Sequence, residues 1–168
     1  MSASIVIHSI APAEARPIRH KVLRAGLPFN TTIWPEDDTP ESIHLGAFWD
    51  GHLMGIVSLF HTAPPDGAPG PACQLRGMAV LEKARGQGLG KRLAEECIHR
   101  ARAAGAATLW CNARANAKEF YARFGFQVIG EPFDLPDIGP HYRMLRDLTQ
   151  RSRSEEHTSE LQSHSDLV

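Results

Sequence analysis

The sequence predicts an α/β or α+β protein built on one sheet, and three observations carry that prediction. Apolar runs of strand length mix with stretches of helical period, in the order hairpin, strand, helix, strand, helix, strand, strand. Asp50-Gly51 joins two of those runs, the strongest short-range signal for a two-residue hairpin turn. A glycine cluster, Arg85-Gly86-Gln87-Gly88-Leu89-Gly90, stands between an apolar run and a helical pattern. At 168 residues the chain has the size of one compact domain, able to bury roughly two-thirds of its unfolded surface.

Residues 4–10 (SIVIHSI) read as a first strand. Residues 12–26 read as a helix, with Pro12 in its first turn and Gly26 at its end, where each is tolerated. Residues 27–41, rich in proline and acid, read as a loop with room for a short helix. Residues 44–49 and 52–60 form the antiparallel hairpin, and four prolines with two glycines mark 62–71 as a flexible connector. A strand at 73–80 leads into the glycine cluster. Leu89, Leu93, Cys97 and Ala101 then recur every four residues as a helix that Gly105 ends. After a short strand at 108–112, Ala117, Phe120, Tyr121 and Phe124 share a helical face closed by Gly125. Residues 126–130 and 141–148 supply the last strands.

The formal net charge of −1 and pI near 6.7 exclude a global field that would hold nucleic acid or an anionic membrane. Any anion must be met locally. Cys73, Cys97 and Cys111 are odd in number and far apart, so they form neither a disulfide framework nor a C-x-x-C zinc pattern, which fits a cytoplasmic setting. The apolar stretches are strand-sized and residues 1–10 lack the basic region of a signal peptide, so neither anchoring nor export is expected. His8, His44, His52 and His61 lie in or beside strands without ligand spacing and read as structural, with no metal expected. From Arg153 the run RSEEHTSELQSH is similar to the in-frame translation of a sequencing-library adapter. Residues 1–148 are therefore expected to form the domain, with 149–168 a disordered tail of adapter origin.

The glycine cluster sits where backbone amides and the helix dipole favour an anion, and glycines remove the β-carbons that would hold a phosphate away. Lys83, Arg85, Lys91 and Arg92 crowd the same turn against one acid, Glu82. Spacing separates the phosphate-binding patterns. A Walker loop fails because Arg85 stands where the first glycine belongs and Arg92 follows Lys91. A dinucleotide fingerprint fails because Gly86, Gly88 and Gly90 are spaced G-x-G-x-G, with no acid in the Ala-Gly-Ala-Ala region downstream.

The remaining pattern, R/Q-x-x-G-x-G/A, is matched by Arg85, Gly88 and Gly90, and resembles the coenzyme A pyrophosphate signature of the GNAT N-acetyltransferase superfamily. The flanking RGMAV of residues 76–80 and A-x-x-F-Y-x-x-x-G-F, from Ala117 to Phe126, resemble that family in the expected order. The likeness covers residues 4–148. It implies a mixed, mostly antiparallel sheet of six to seven strands flanked by helices, with splayed parallel strands forming an acyl-CoA cleft. It also implies acetyl-CoA as cosubstrate and transfer of an acetyl group to a primary amine in a ternary complex.

By this resemblance, Met78, Ala79 and Val80 would bind the pantetheine arm through their main chain. Arg85, Gly86, Gln87, Gly88, Leu89, Gly90 and Lys91 would hold the phosphates, with Asn112 and Arg114 nearby. Many relatives carry Asn where this chain has Arg114, which is either a coenzyme or acceptor contact or a surface arginine. Tyr121 occupies the place of the family's general acid. The base candidates are Glu36, Asp37, Asp38, Glu41 and His141. Phe29 and Trp34 are expected to wall an acceptor pocket, with Glu36, Asp37, Asp134 and His141 contributing to it. The acids at 36–41, with Glu131, Asp134 and Asp137, suggest a small cationic acceptor. The alternative is a non-catalytic acyl-CoA-binding module or sensor. An exposed last strand would offer a second copy an edge for a homodimer.

Overall fold

The computed structural model describes residues 4–149. The tail expected from 149 therefore lies, but for Thr149, outside the described residues. One eight-stranded sheet forms the scaffold: β1 (Ile5–Ser9), β2 (Ile43–Trp49), β3 (His52–Phe60), β4 (Ala72–Val80), β5 (Thr108–Arg114), β6 (Gln127–Val128), β7 (Phe133–Leu135) and β8 (Gly139–Asp147). The spatial order is β1-β2-β3-β4-β5-β8-β6, with β7 also on β8, and only β4 and β5 run parallel. The six to seven strands expected become eight because the short segment at 133–135, between Pro132 and Pro136, pairs with the start of β8.

The β2–β3 hairpin forms as read. Asp50 and Gly51 take φ of 49° and 84°, the positive pair a two-residue turn with strand-matching twist requires, and Trp49 faces His52. Helices cover both faces of the sheet. Leu89, Leu93, Cys97 and Ala101 of α2 (Leu89–Ala103) enter the main core with Val57, Leu59, Leu75 and Leu109. Ala15 and Ile18 of α1 (Pro12–Ile18) pack with Ile56 and Ala79 on the other face. Ile56 and Val57 thus serve opposite cores, as strand alternation demands. A short helix, α3 (Lys118–Ala122), carries Phe120 and Tyr121 beside β5.

Two expectations are corrected. The helix expected over 12–26 ends at Ile18 and continues as a π-helical turn, Arg19–Leu23, in which the Arg24 amide donates to the Arg19 carbonyl at 3.0 Å. Pro17 supplies no amide to the helical ladder just before this point, and the wider turn rotates Arg19 into the interior. The last strand, β8, is not an exposed edge: β5 flanks it on one side, β6 and β7 on the other. The edge argued for a homodimer is therefore absent at β8.

Candidate active site

The site grows from one irregularity in β4. Arg76 faces Ser58 and Ala79 faces Ile56, so Gly77 and Met78 together oppose Val57 in a β-bulge. Gly77 takes φ +73° there. The parallel pairing of β4 with β5 covers only Ala72/Thr108, Cys73/Leu109 and Gln74/Trp110. Beyond Gln74 the strands diverge, and the opening between them is a cleft of about 510 Å³.

Arg76, Gly77, Met78 and Val80 line one wall, and Asn112, Ala113 and Arg114 the other. Phe120 and Tyr121 close it from α3, His141 from β8, and Gly90 at the first turn of α2. Trp34, Leu23 and Arg24 form its far rim. At the mouth of α2, Gly88 is the N-cap with φ +89° and no side chain caps the helix. A β-carbon at Gly86 or Gly88 would meet nothing within 4 Å, so the loop lies open around bare main chain. Arg85, Gly86, Gln87, Gly88 and Lys91 are all exposed, and Arg85 Nε donates to the Val80 carbonyl at 3.2 Å. These features fit a diphosphate: open glycines, uncapped helix amides and cations.

Tyr121 is buried, and its hydroxyl makes no hydrogen bond among the described residues. Burial, with the nearby Cys111 and Cys97, pushes its phenol well above the ordinary tyrosine value. His141 is also buried, and its ring Nδ1 lies 2.8 Å from the Gly139 carbonyl, which requires an N–H at Nδ1. In the tautomer that carries its proton on Nδ1, Nε2 is an acceptor. Asn112 Oδ1 accepts from Arg143 Nε at 2.6 Å, and an Arg114 N–H donates to the Leu23 carbonyl. Arg114 thus lines the cleft and is not a free surface arginine.

Ala79 and Leu89 differ from their neighbours, because both side chains are buried in the cores. Only their main chain could meet a coenzyme. Among the residues expected at the acceptor pocket, Trp34 and His141 line the cleft, whereas Phe29 is 48% exposed and meets His20 edge to face. Asp134 is exposed on β7, and Glu36 sits 3.6 Å from Arg76 without lining the cleft.

Asp37 requires the largest correction. Its carboxylate is wholly buried and accepts from both terminal nitrogens of Arg19, at 2.8 and 2.9 Å. Burial alone would raise this carboxyl, but the hydrogen bonds and charge of Arg19, with the Trp34 amide, hold it below the usual range. Asp37 is a structural ion-pair partner and does not reach an acceptor. Arg19 and Arg76 both lie over the Trp34 ring, 3.7 and 3.9 Å from its centroid. Guanidinium planes that close to one centroid must occupy opposite faces.

Arg24 and Arg76 line the cleft, although neither was expected as a site residue. One signal for Arg76 was present: Gln74 and Arg76, two residues apart, put polar groups on one side of an otherwise apolar strand. Nothing local marks Arg24, whose place depends on the π-helical turn.

A splayed parallel strand pair, a bulge at the opening and an uncapped glycine turn leading to a helix define an acyl-CoA-dependent N-acyltransferase. A model of the acetyltransferase (GNAT) family matches residues 13–126, and the chain belongs to that family. It is a GNAT-type N-acetyltransferase. It is 37% identical over 142 residues to YitI, an uncharacterised N-acetyltransferase of Bacillus subtilis (strain 168), spanning 84% of this chain and 95% of that protein. FeeM, an N-acyl amino acid synthase from uncultured soil microbes, has the same fold with a TM-score of 0.73 at 16% identity, over 89% of this chain and 93% of its own. Escherichia coli ElaA follows at 0.69 and 19%, over 86% and 100%. An aminoglycoside 6'-N-acetyltransferase complexed with coenzyme A gives 0.68 and 13%, over 88% and 99%. At these identities the structures establish the fold alone.

Among the described residues no helix is long and apolar enough to cross a membrane, and no group of three His, Cys, Asp or Glu side chains is placed to hold a metal ion.

Proposed function

We propose that the protein carries an acetyl group from acetyl-CoA directly to the primary amine of a small acceptor, with both substrates bound in the cleft. The observation that supports this most is convergence: the bulge main chain, Tyr121 and His141 border a single cavity that reaches the first turn of α2.

Under this reading Gly86, Gly88 and the amides opening α2 would hold the diphosphate, with Arg85 and Lys91 supplying charge. Main-chain groups of Met78 and Val80 would hold the pantetheine arm, and a nearby amide would stabilise the thioester oxygen as charge develops on it. The attacking amine must be neutral, although an alkylammonium has a pKa of roughly 10.4. His141 would take that proton, since of the base candidates it is the one that lines the cleft and it retains an acceptor nitrogen. Tyr121 would donate to the departing thiolate. A phenol raised by burial is a weaker acid than a thiol near roughly 8.5, so hydrogen bonding to the thiolate supplies much of the benefit.

A cationic acceptor, suggested by the acids, has weaker support: Asp37 is sealed against Arg19, and Glu36 and Asp134 stand outside the cleft lining. The test is release of free thiol from acetyl-CoA across a library of amines. Thiol release with at least one amine is expected. Binding of acetyl-CoA without release to any amine would make the protein a non-catalytic sensor, and no uptake in titration calorimetry would remove both readings.

A further inference from the structure

The charge on the cleft walls is of one sign. Arg24, Arg76 and Arg114 line it, and no aspartate or glutamate does among the described residues. The carboxylates beside Arg19 and Arg76 are already engaged, Asp37 by Arg19 and Arg16, and Glu36 by Arg76 at 3.6 Å. Arg16, Arg19 and Arg76 thus share the two carboxylates of Asp37 and Glu36, and Arg24 and Arg114 form no ion pair with either. Each guanidinium carries five N–H donors. Arg24 and Arg114 use single donors on the Leu23 carbonyl, and Arg76 stacks on Trp34.

We propose that Arg24, Arg76 and Arg114 form a carboxylate-binding site for the acceptor, so that the amine substrate is itself an acid, such as an amino acid. The proposal rests on the N-acyltransferase reading above. A planar carboxylate matches the guanidinium fork and would offset repulsion among like charges in a partly desolvated wall. That repulsion is visible in Arg24, whose guanidinium is pushed below its ordinary value first by burial and then by Arg76, Arg114 and Arg19.

The coenzyme's own phosphates are not the natural partner. Arg76 precedes the bulge, whereas the glycine turn follows Val80, and since Arg76 pairs with Ser58 and Val80 with Gly55, about 10 Å of strand separates them. Trp34, held between Arg19 and Arg76, fixes the Arg76 plane and gives the acceptor body an apolar wall.

The same chemistry could serve a carboxylate on the acyl group, so the experiment has two arms. In the first, thiol release from acetyl-CoA is measured with amino acids and with their carboxamides, which keep the amine and side chain and lose the charge. The carboxamide amine is the more easily deprotonated, so a preference for the acid cannot come from amine basicity. At least tenfold higher kcat/KM for the acid is expected. Arg76→Gln and Arg24→Gln should each raise KM for the acid at least tenfold, keep KM for acetyl-CoA within twofold, and bring acid and amide together. Arg24→Gln serves if loss of Arg76 from the Trp34 stack prevents folding. In the second arm succinyl-CoA replaces acetyl-CoA, and acetyl-CoA should serve at least as well.

Equal or better use of the amides, or equal losses for acid and amide in the variants, overturns the proposal. A tenfold preference for succinyl-CoA with acids and amides used alike reassigns the arginines to the acyl group and also overturns it. Turnover confined to amides or polyamines removes this proposal alone. No thiol release with any amine, while acetyl-CoA still binds, removes the acyltransferase reading with it.

Discussion

The edge of Trp34 lies against the α-carbon of Gly77, so that a β-carbon at 77 would stand 2.9 Å from Cη2 and 3.0 Å from Cζ3 of the indole. Gly77 is required twice, by its φ of +73° in the bulge and by the ring pressed on it. Gly77→Ala must therefore move Trp34, and with it the guanidiniums of Arg19 and Arg76, or flatten the bulge that opens the cleft. We expect a loss of about 1–3 kcal/mol in stability and a fall of more than tenfold in kcat/KM. Unfolding in urea and thiol-release kinetics measure both, and unchanged kinetics would detach the bulge from the site.

Asp37 and Arg19 form the buried ion pair beneath that ring, and removing one partner leaves the other charged in the interior. Breaking such a pair typically costs about 3–5 kcal/mol. Asp37→Asn should lower the urea midpoint accordingly. The folded pKa of Asp37 is depressed, so its contribution is present above the unfolded value near 3.8 and is lost as pH falls through the folded value. In the variant, the acid limb of the stability profile should be shallower than in the native protein.

The same pair shows where the sequence stops being legible. Local signals worked wherever the decisive contact is local: Asp50-Gly51 set the hairpin, and the four-residue recurrence from Leu89 set α2. The RGMAV segment, the glycine cluster and the A-x-x-F-Y run, through the family resemblance, led to Met78, Val80, Gly90 and Tyr121, all of which line the cleft. The acidic run at 36–38 misled because the partner that neutralises Asp37 is 18 residues away and is turned inward by a π-helical turn that no periodicity announces. Arg24 escaped for the same reason. Strand β7 escaped because three residues between prolines carry too little alternation to read.

Alkaline conditions should destabilise the fold through four buried groups. Burial pushes the thiols of Cys73, Cys97 and Cys111 above their ordinary value of 9.0, and the phenol of Tyr121 above 10.0. Each favours a native state that keeps its proton. Their contribution is complete below the unfolded values and is lost as pH rises toward the folded ones. Through these groups stability should fall above about pH 9, with each group adding up to about 1.4 kcal/mol per pH unit. Cys97→Ala should reduce that slope; an equal slope in the variant would mean the thiol ionises as readily in the fold as out of it.

Tyr121→Phe separates a catalytic hydroxyl from a packing residue. The ring contacts Phe120 and Phe126 edge to face, at centroid distances of 5.1 and 5.5 Å, and phenylalanine preserves both. The hydroxyl has no hydrogen-bond partner among the described residues, so its removal costs the fold little or nothing. Coenzyme binding should change by less than about twofold, because the glycine turn and the bulge main chain are untouched. If the hydroxyl meets the departing sulfur, turnover should fall about 10- to 1000-fold, the range for losing a positioned proton donor or its hydrogen bond. The loss should appear in kcat and kcat/KM alike, since the interaction exists only as charge develops on sulfur. A core tyrosine without that role would leave turnover where it was, and this outcome in a folded variant that still binds acetyl-CoA would end the assignment of Tyr121 as the proton donor.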